Sequence, residues 1–124
     1  MSKILIVEDN ALNMKLARDI LEAKGHSVIA AENGEEGVAA AIENVPDLIL
    51  MDIQMPGIDG FEALARIREK SEIASIPVIA FTASVTTSDR SKVTEAGFDA
   101  FISKPIDLKS FVTTVEETLA VDGT

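Results

Sequence analysis

A chain of 124 residues has room for one domain with a substantial core and not for two. Its composition, 47 % hydrophobic and 26 % charged, is that of a globular protein, and no apolar stretch approaches the roughly 20 residues of a membrane span. The net charge of −10 argues against non-specific binding to nucleic acid, and the absence of cysteine excludes disulfides, thiolate chemistry and cysteine-held metals.

The N-terminus "MSKILIVEDN" passes from one lysine into a strand-like run that meets acid within a few residues. It is not read as a signal peptide, and a cytoplasmic location is the expectation. The first apolar run, "ILIV" (4–7), ends on Glu8 and Asp9. Helix one is expected from about Ala11 to Lys24, with Asn10 as N-cap, Leu16, Ala17, Ile20 and Leu21 on one face, and Gly25 as its stop. His26, the only histidine, falls in the following turn and reads as a surface residue, neither metal ligand nor phosphodonor.

The second run, "SVIA" (27–30), is short and mixed; helix two follows Gly34 and ends near Asn44, before Pro46. The third run, "LILM" (48–51), stops abruptly on Asp52. Gly57 and Gly60 serve the loop that leads to helix three, about Phe61 to Glu69, with Phe61, Leu64 and Ile67 inward. The fourth run, "PVIAF" (77–81), ends on Thr82.

Helix four lies within residues 86–97, where Val93 is the sole large apolar side chain, so it gains little from packing and is expected to be among the more mobile parts. The fifth run, "AFIS" (100–103), leads to Lys104 and Pro105. Helix five opens after Asp107 as N-cap and is expected to bury Leu108, Phe111, Val112, Val115 and Leu119.

Strands alternating with helices at this spacing predict parallel βαβ units and an α/β fold. The continuously apolar runs Ile4 to Val7, Leu48 to Met51 and Val78 to Phe81 suit central strands covered on both faces, which leaves the second and fifth runs at the edges.

In such sheets ligands bind beyond the carboxyl ends of the strands. Glu8, Asp9, Asp52, Thr82 and Lys104 all stand at such ends. Singly, each has a bland reading: Asp52 as a turn or cap, Glu8 and Asp9 as favourable charges at a helix N-terminus, Thr82 as a β-branched strand residue, Lys104 as a solvated charge. If strand one lies beside strand three, however, the carboxylates share one crevice, and their repulsion calls for a cation. Oxygen ligands without cysteine or a nearby histidine favour a hard divalent ion, Mg²⁺ being the natural candidate. A carboxylate beside Mg²⁺, with an ammonium and a hydroxyl at hand, is apparatus for accepting a phosphoryl group onto Asp52.

The segments "ILIVEDN", "LILMDIQMPGIDGF", "FTA" and "SKP" resemble, in order and across essentially the whole chain, the receiver domain of two-component response regulators. The resemblance implies a flavodoxin-like, doubly wound five-stranded parallel sheet of order 2-1-3-4-5 with five helices in three layers. It makes Asp52 the phosphoacceptor, Asp9 a direct Mg²⁺ ligand with Glu8 supporting it through water, and the backbone carbonyl of Gln54 a further ligand. Thr82 would bond the arriving phosphoryl oxygen, Lys104 would form a salt bridge to it, and Pro105 stands where the family keeps a cis peptide that aims the lysine.

Phe101 occupies the position of an aromatic switch residue, without the hydroxyl of the more usual tyrosine. Glu8 stands where aspartate, one methylene shorter, is common. Ala83 belongs to the "FTA" match, and Gln54 and Ser84 flank the site where side chains tune hydrolysis. The implied switch has phosphorylated Asp52 drawing Thr82 inward, making room for Phe101 and biasing helix four.

The resemblance further implies a stand-alone receiver over residues 1–124, a signalling switch that catalyses its own phosphorylation and slow hydrolysis rather than a metabolic enzyme. Its partners would be a histidine kinase or histidine phosphotransfer protein, met through helix one and the loops around Asp52, and a protein target met through helix four, strand five and helix five. Neither nucleic acid nor membrane insertion is implied, and the chain would be a monomer or a weak phosphorylation-dependent dimer.

Three alternatives remain. An aspartyl phosphatase of the haloacid dehalogenase type usually has a second aspartate two residues after the nucleophile, where this chain has Gln54. A flavodoxin-like cofactor binder would need a phosphate-binding first turn, where this chain has Glu8-Asp9-Asn10. A binding-only receiver would have lost the acceptor or the lysine, and both are present.

Overall fold

A strand that is apolar at every position has no face to show to water, so it must be covered twice. The computed structural model, which describes residues 2–55, 57–82 and 87–123, resolves this with one sheet between two helical layers. In chain order the elements are β1 (Lys3–Val7), α1 (Ala11–Ala23), β2 (Ser27–Ala31), α2 (Gly34–Asn44) and β3 (Leu48–Asp52), then α3 (Gly60–Arg68), β4 (Val78–Thr82), α4 (Thr87–Ala96), β5 (Ala100–Ser103) and α5 (Leu108–Gly123). The five strands run parallel in the order β2-β1-β3-β4-β5, the expected one.

The period of two along each strand sorts side chains into two cores. Leu5, Val7, Ile49, Met51, Val78 and Ala80 point to one face, where Val38 and Ala41 of α2, Leu64 and Ile67 of α3, and Val93 of α4 cover them. Ile4, Ile6, Leu48, Leu50, Ile79 and Phe81 point to the other, beneath Ala17 and Leu21 of α1 and Phe111 and Val115 of α5. The less apolar β2 and β5 lie at the edges, as expected, and are only partly buried. Among the described residues, no helix is long and apolar enough to cross a membrane.

The helix ends follow local chemistry. Asn10, Asn33 and Asp59 each accept a hydrogen bond from the backbone N–H three residues on, capping α1, α2 and α3. Asp107 does the same for α5 through Ser110 N. Gly25 ends α1 at a φ of +92°, which favours glycine.

Three expectations need correction. Leu16 is exposed because the buried line of α1 runs through Ala17 and Leu21, about 100° around the helix from it. Leu108 is 61 % exposed: at the first position of α5 it joins neither apolar cluster, whose contacts here come from Ile106 before it and Phe111 after it. His26 is half-buried rather than on the surface, with its Nδ1 enclosed and unpartnered among the described residues.

At the amino end of the sheet, Arg68 ties two connections together. Its guanidinium donates to the carbonyls of Ala74 (3.0 Å), Ile76 (2.6 Å) and Gly97 (3.1 Å) and pairs with Asp99 at 3.0 Å. Asp99 in turn accepts from Val78 N at 2.8 Å. Removing the guanidinium leaves partly buried carbonyls without a donor, so Arg68→Ala is expected to lower unfolding free energy by about 2–3 kcal/mol in urea titrations. A loss under about 0.5 kcal/mol would mean that water replaces the clamp at no cost.

Candidate functional site

Strand register brings the polar strand ends into one place. Val7 pairs with Met51 and Asp52 with Phe81, so Glu8 and Asp9, just past β1, face the last residue of β3. Thr82 pairs with Ser103, and Lys104 N donates to Thr82 O at 2.8 Å, which carries the lysine to the same edge. One oxygen from each of Glu8, Asp9 and Asp52 lies within 4.8 Å of the others.

Two of those acids are deeply buried. Glu8 is 1 % and Asp52 3 % exposed, while Asp9 opens to solvent; Thr82 is 4 % exposed. Backbone amides hold the carboxylates in place: Asn10 N donates to Glu8 Oε2 at 3.1 Å and Gln54 N to Asp52 Oδ1 at 3.2 Å. Lys104 Nζ lies 2.8 Å from Glu8 Oε1 and 3.2 Å from Asp52 Oδ2, bridging the pair, and sits 4.8 Å above the centre of the Phe81 ring.

Burial, followed by the hydrogen bond and negative charge of Glu8, pushes the Asp52 carboxyl up to about 7, against the opposing pull of Lys104. For Lys104, burial works to lower the pKa, but the combined attraction of Glu8 and Asp52 outweighs it and holds the ammonium above its ordinary value. One ammonium thus stands against three clustered carboxylates. An oxygen-only donor set with this surplus of negative charge fits a hard divalent cation, which would sit where the carboxylates now repel one another.

Gly60 makes this packing possible. A Cβ at that position would fall 2.6 Å from the carbonyl oxygen of Asp52 and 2.9 Å from Ile53 Cα, both fixed backbone atoms. Gly60 N donates to Ile53 O at 2.9 Å, so the start of α3 closes directly onto the strand end that carries Asp52.

Two cavities open beside the cluster. One, of about 360 Å³, is walled by Thr82, Gln54, Met55 and Phe61, with Lys92 and Val93 of α4 opposite. The other, of about 480 Å³, lies on the β1 and α1 side and is lined by Glu8, Asp9, Met14 and Arg18 among others.

The expected site residues Glu8, Asp9, Asp52, Thr82 and Lys104 are therefore neighbours, and Gln54 adjoins them through its amide. The Lys104–Pro105 peptide is cis. Phe101 is half-buried on β5 and packs against the core on the α2–α3–α4 face. Ala83 and Ser84 lie outside the described residues. Sequence reading assigned no role at the site to Phe81, although it opens the "FTA" segment, or to Lys92, which no motif marks; for Gly60 it saw a loop residue but not the backbone it approaches.

The fold and site have close counterparts. Residues 4–116 match the family model of the response regulator receiver domain. The polar-differentiation response regulator DivK of Brucella anthropi is 45 % identical over 116 residues, 94 % of each chain, and that of Brucella ovis is 44 % identical over the same length. Among solved structures, a response regulator from Chloroflexus aurantiacus superposes with a TM-score of 0.91 at 29 % identity, covering 96 % of this chain and 98 % of its own. The receiver domain of a Pseudomonas aeruginosa sensor histidine kinase, solved with a magnesium ion coordinated in its active site cleft, gives 0.89 at 29 % identity with the same coverage. A match that begins in β1 and runs through all five strands into α5 takes in every strand end of the acidic crevice, and on it the chain belongs to the response regulator receiver domain family, the switches of phosphorelay signalling.

Proposed function

We propose that Asp52 accepts a phosphoryl group from a phosphohistidine of a histidine kinase or phosphotransfer protein. The observation that carries this reading is the placement of a buried carboxylate within reach of both an ammonium and two further acids at one sheet edge.

When bound by Asp9, Asp52 and the backbone carbonyl of Gln54, with Glu8 acting through water, Mg²⁺ would offset charge on the phosphoryl oxygens. The chain's own residues supply the rest. Lys104 favours the ionised form of Asp52, which is the nucleophile. An Asp52 oxygen bonds to phosphorus as the P–N bond of the donor breaks, and the released imidazole takes up a proton. Lys104 then shifts toward the new phosphoryl oxygens and Thr82 donates its hydroxyl to one of them. Pro105 holds the lysine's backbone at the site, while Gln54 borders the route by which water reaches the acyl phosphate.

Thr82, drawn toward the phosphoryl group, leaves room for Phe101, and α4 with β5 and α5 forms the face on which a protein target reads the change. The donor protein approaches over α1, where Leu12 and Leu16 are exposed, and over the loops around Asp52. The similarity to DivK supports a phosphorelay that governs cell fate.

The test is mass spectrometry after incubation with acetyl phosphate, with and without Mg²⁺, for wild type and Asp52→Asn. One phosphoryl adduct that requires Mg²⁺ and is lost in the variant is expected. An unmodified wild type under every condition, including exposure to a phosphorylated histidine phosphotransfer protein, would sink the reading.

A further inference from the structure

The crevice presents a problem for a small anionic donor. Three carboxylates repel it, and Lys104, the cation inside, is already bridged to Glu8 and Asp52. The 360 Å³ cavity offers a way in: Thr82 forms part of its wall, and among the described residues Lys92 is the one cationic side chain that lines it. Lys92 is exposed and makes no ion pair among the described residues. Asp59, the one carboxylate on the wall among the described residues, is engaged as the cap of α3 through Glu62 N at 2.9 Å. Apart from Gln54, the remaining lining, Ile53, Met55, Phe61 and Val93, is apolar and suits a short acyl group.

The geometry points to Lys92 as a specificity-determining residue for dianionic acyl phosphates, which enter through this cavity with the acyl group against its apolar wall and are drawn in by the lysine. The inference rests on Asp52 being the phosphoacceptor. In the step it serves, an Asp52 oxygen bonds to phosphorus while the acyl-oxygen–phosphorus bond breaks, and the carboxylate leaves with the bonding electrons; no proton is gained or lost. Lys92 touches none of the reacting atoms and acts through the local concentration of donor.

The experiment compares second-order phosphorylation rates with acetyl phosphate, a dianion, and phosphoramidate, a monoanion with an amine leaving group, in saturating Mg²⁺. Lys92→Glu should slow acetyl phosphate about five- to tenfold at low salt and phosphoramidate by less than about twofold, with the gap shrinking as salt rises. Lys70→Glu, the same charge change at an exposed residue that lines neither cavity, should slow both by less than about twofold.

Equal slowing of both donors by Lys92→Glu, or the same effect from Lys70→Glu, would overturn the assignment to Lys92 while leaving the acceptor chemistry standing. A wild type phosphorylated by neither donor would remove both.

Discussion

Without a divalent cation, Asp52→Asn should be more stable than the wild type at pH 8 by about 2–4 kcal/mol, and the gap should close as the pH falls toward 4. The sign follows from the direction of the shift. The Asp52 carboxyl has a folded-state pKa of about 7 against an ordinary value of 3.8, so its favourable contribution is complete below pH 3.8 and is lost as pH rises through 7. Above that, folding must bury a charge beside Glu8. Asparagine resembles the neutral acid at every pH and escapes the penalty.

Urea titrations at several pH values in the presence of a chelator measure the gap. Mg²⁺ should raise the stability of wild type and narrow it, because a ligand bound only by the folded state stabilises that state. A variant less stable than wild type at pH 8 would show that the Lys104 bridge outweighs desolvation and that the carboxylate is at ease where it sits.

Gly60→Ala should lower stability by about 2–3 kcal/mol and slow phosphorylation of Asp52 by more than about tenfold. The new methyl would meet Asp52 O and Ile53 Cα, backbone atoms that no rotamer change can move aside. Relief requires α3 to back away from β3, which disturbs the Gly60 N to Ile53 O hydrogen bond and the acceptor together. Unfolding free energy and the rate with a small phosphodonor give the two readouts. Wild-type values for both would mean the loop absorbs the methyl and that Asp52 does not depend on this approach.

Much of this was legible in the chain because the signals were local and redundant. Continuous apolar runs at Ile4, Leu48 and Val78 specified central strands, caps at Asn10 and Asp107 specified helix starts, and polar residues at consecutive strand ends specified the crevice. Leu16 and Leu108 were misread because periodicity gives a face but not how wide the contact is or where along the helix it stops. His26 was misread because a turn residue can still fold its ring inward.

Other features depend on pairs far apart in sequence. The bridge from Lys104 to Glu8 and the clamp from Arg68 to Asp99 arise only once the strands are ordered, whereas the closeness of Gly60 to Asp52 is set by the path of the loop between β3 and α3. Lys92 carries no motif of its own and acquires a neighbourhood only through the packing of α4.

The alternation that sends Leu5, Val7 and Met51 to one core and Ile4, Ile6 and Leu50 to the other also bears on how such chains diversify. The sheet insulates α1 and its covering layer from α4 and its own, so substitutions that retune one layer need no matching repair in the other. Because α4 and α5 of the face proposed to meet a target lie on opposite sides of that divide, duplicated copies can change one half of it at a time, each step passing through a folded intermediate. The strand ends, which belong to both layers, are the part that such drift cannot touch.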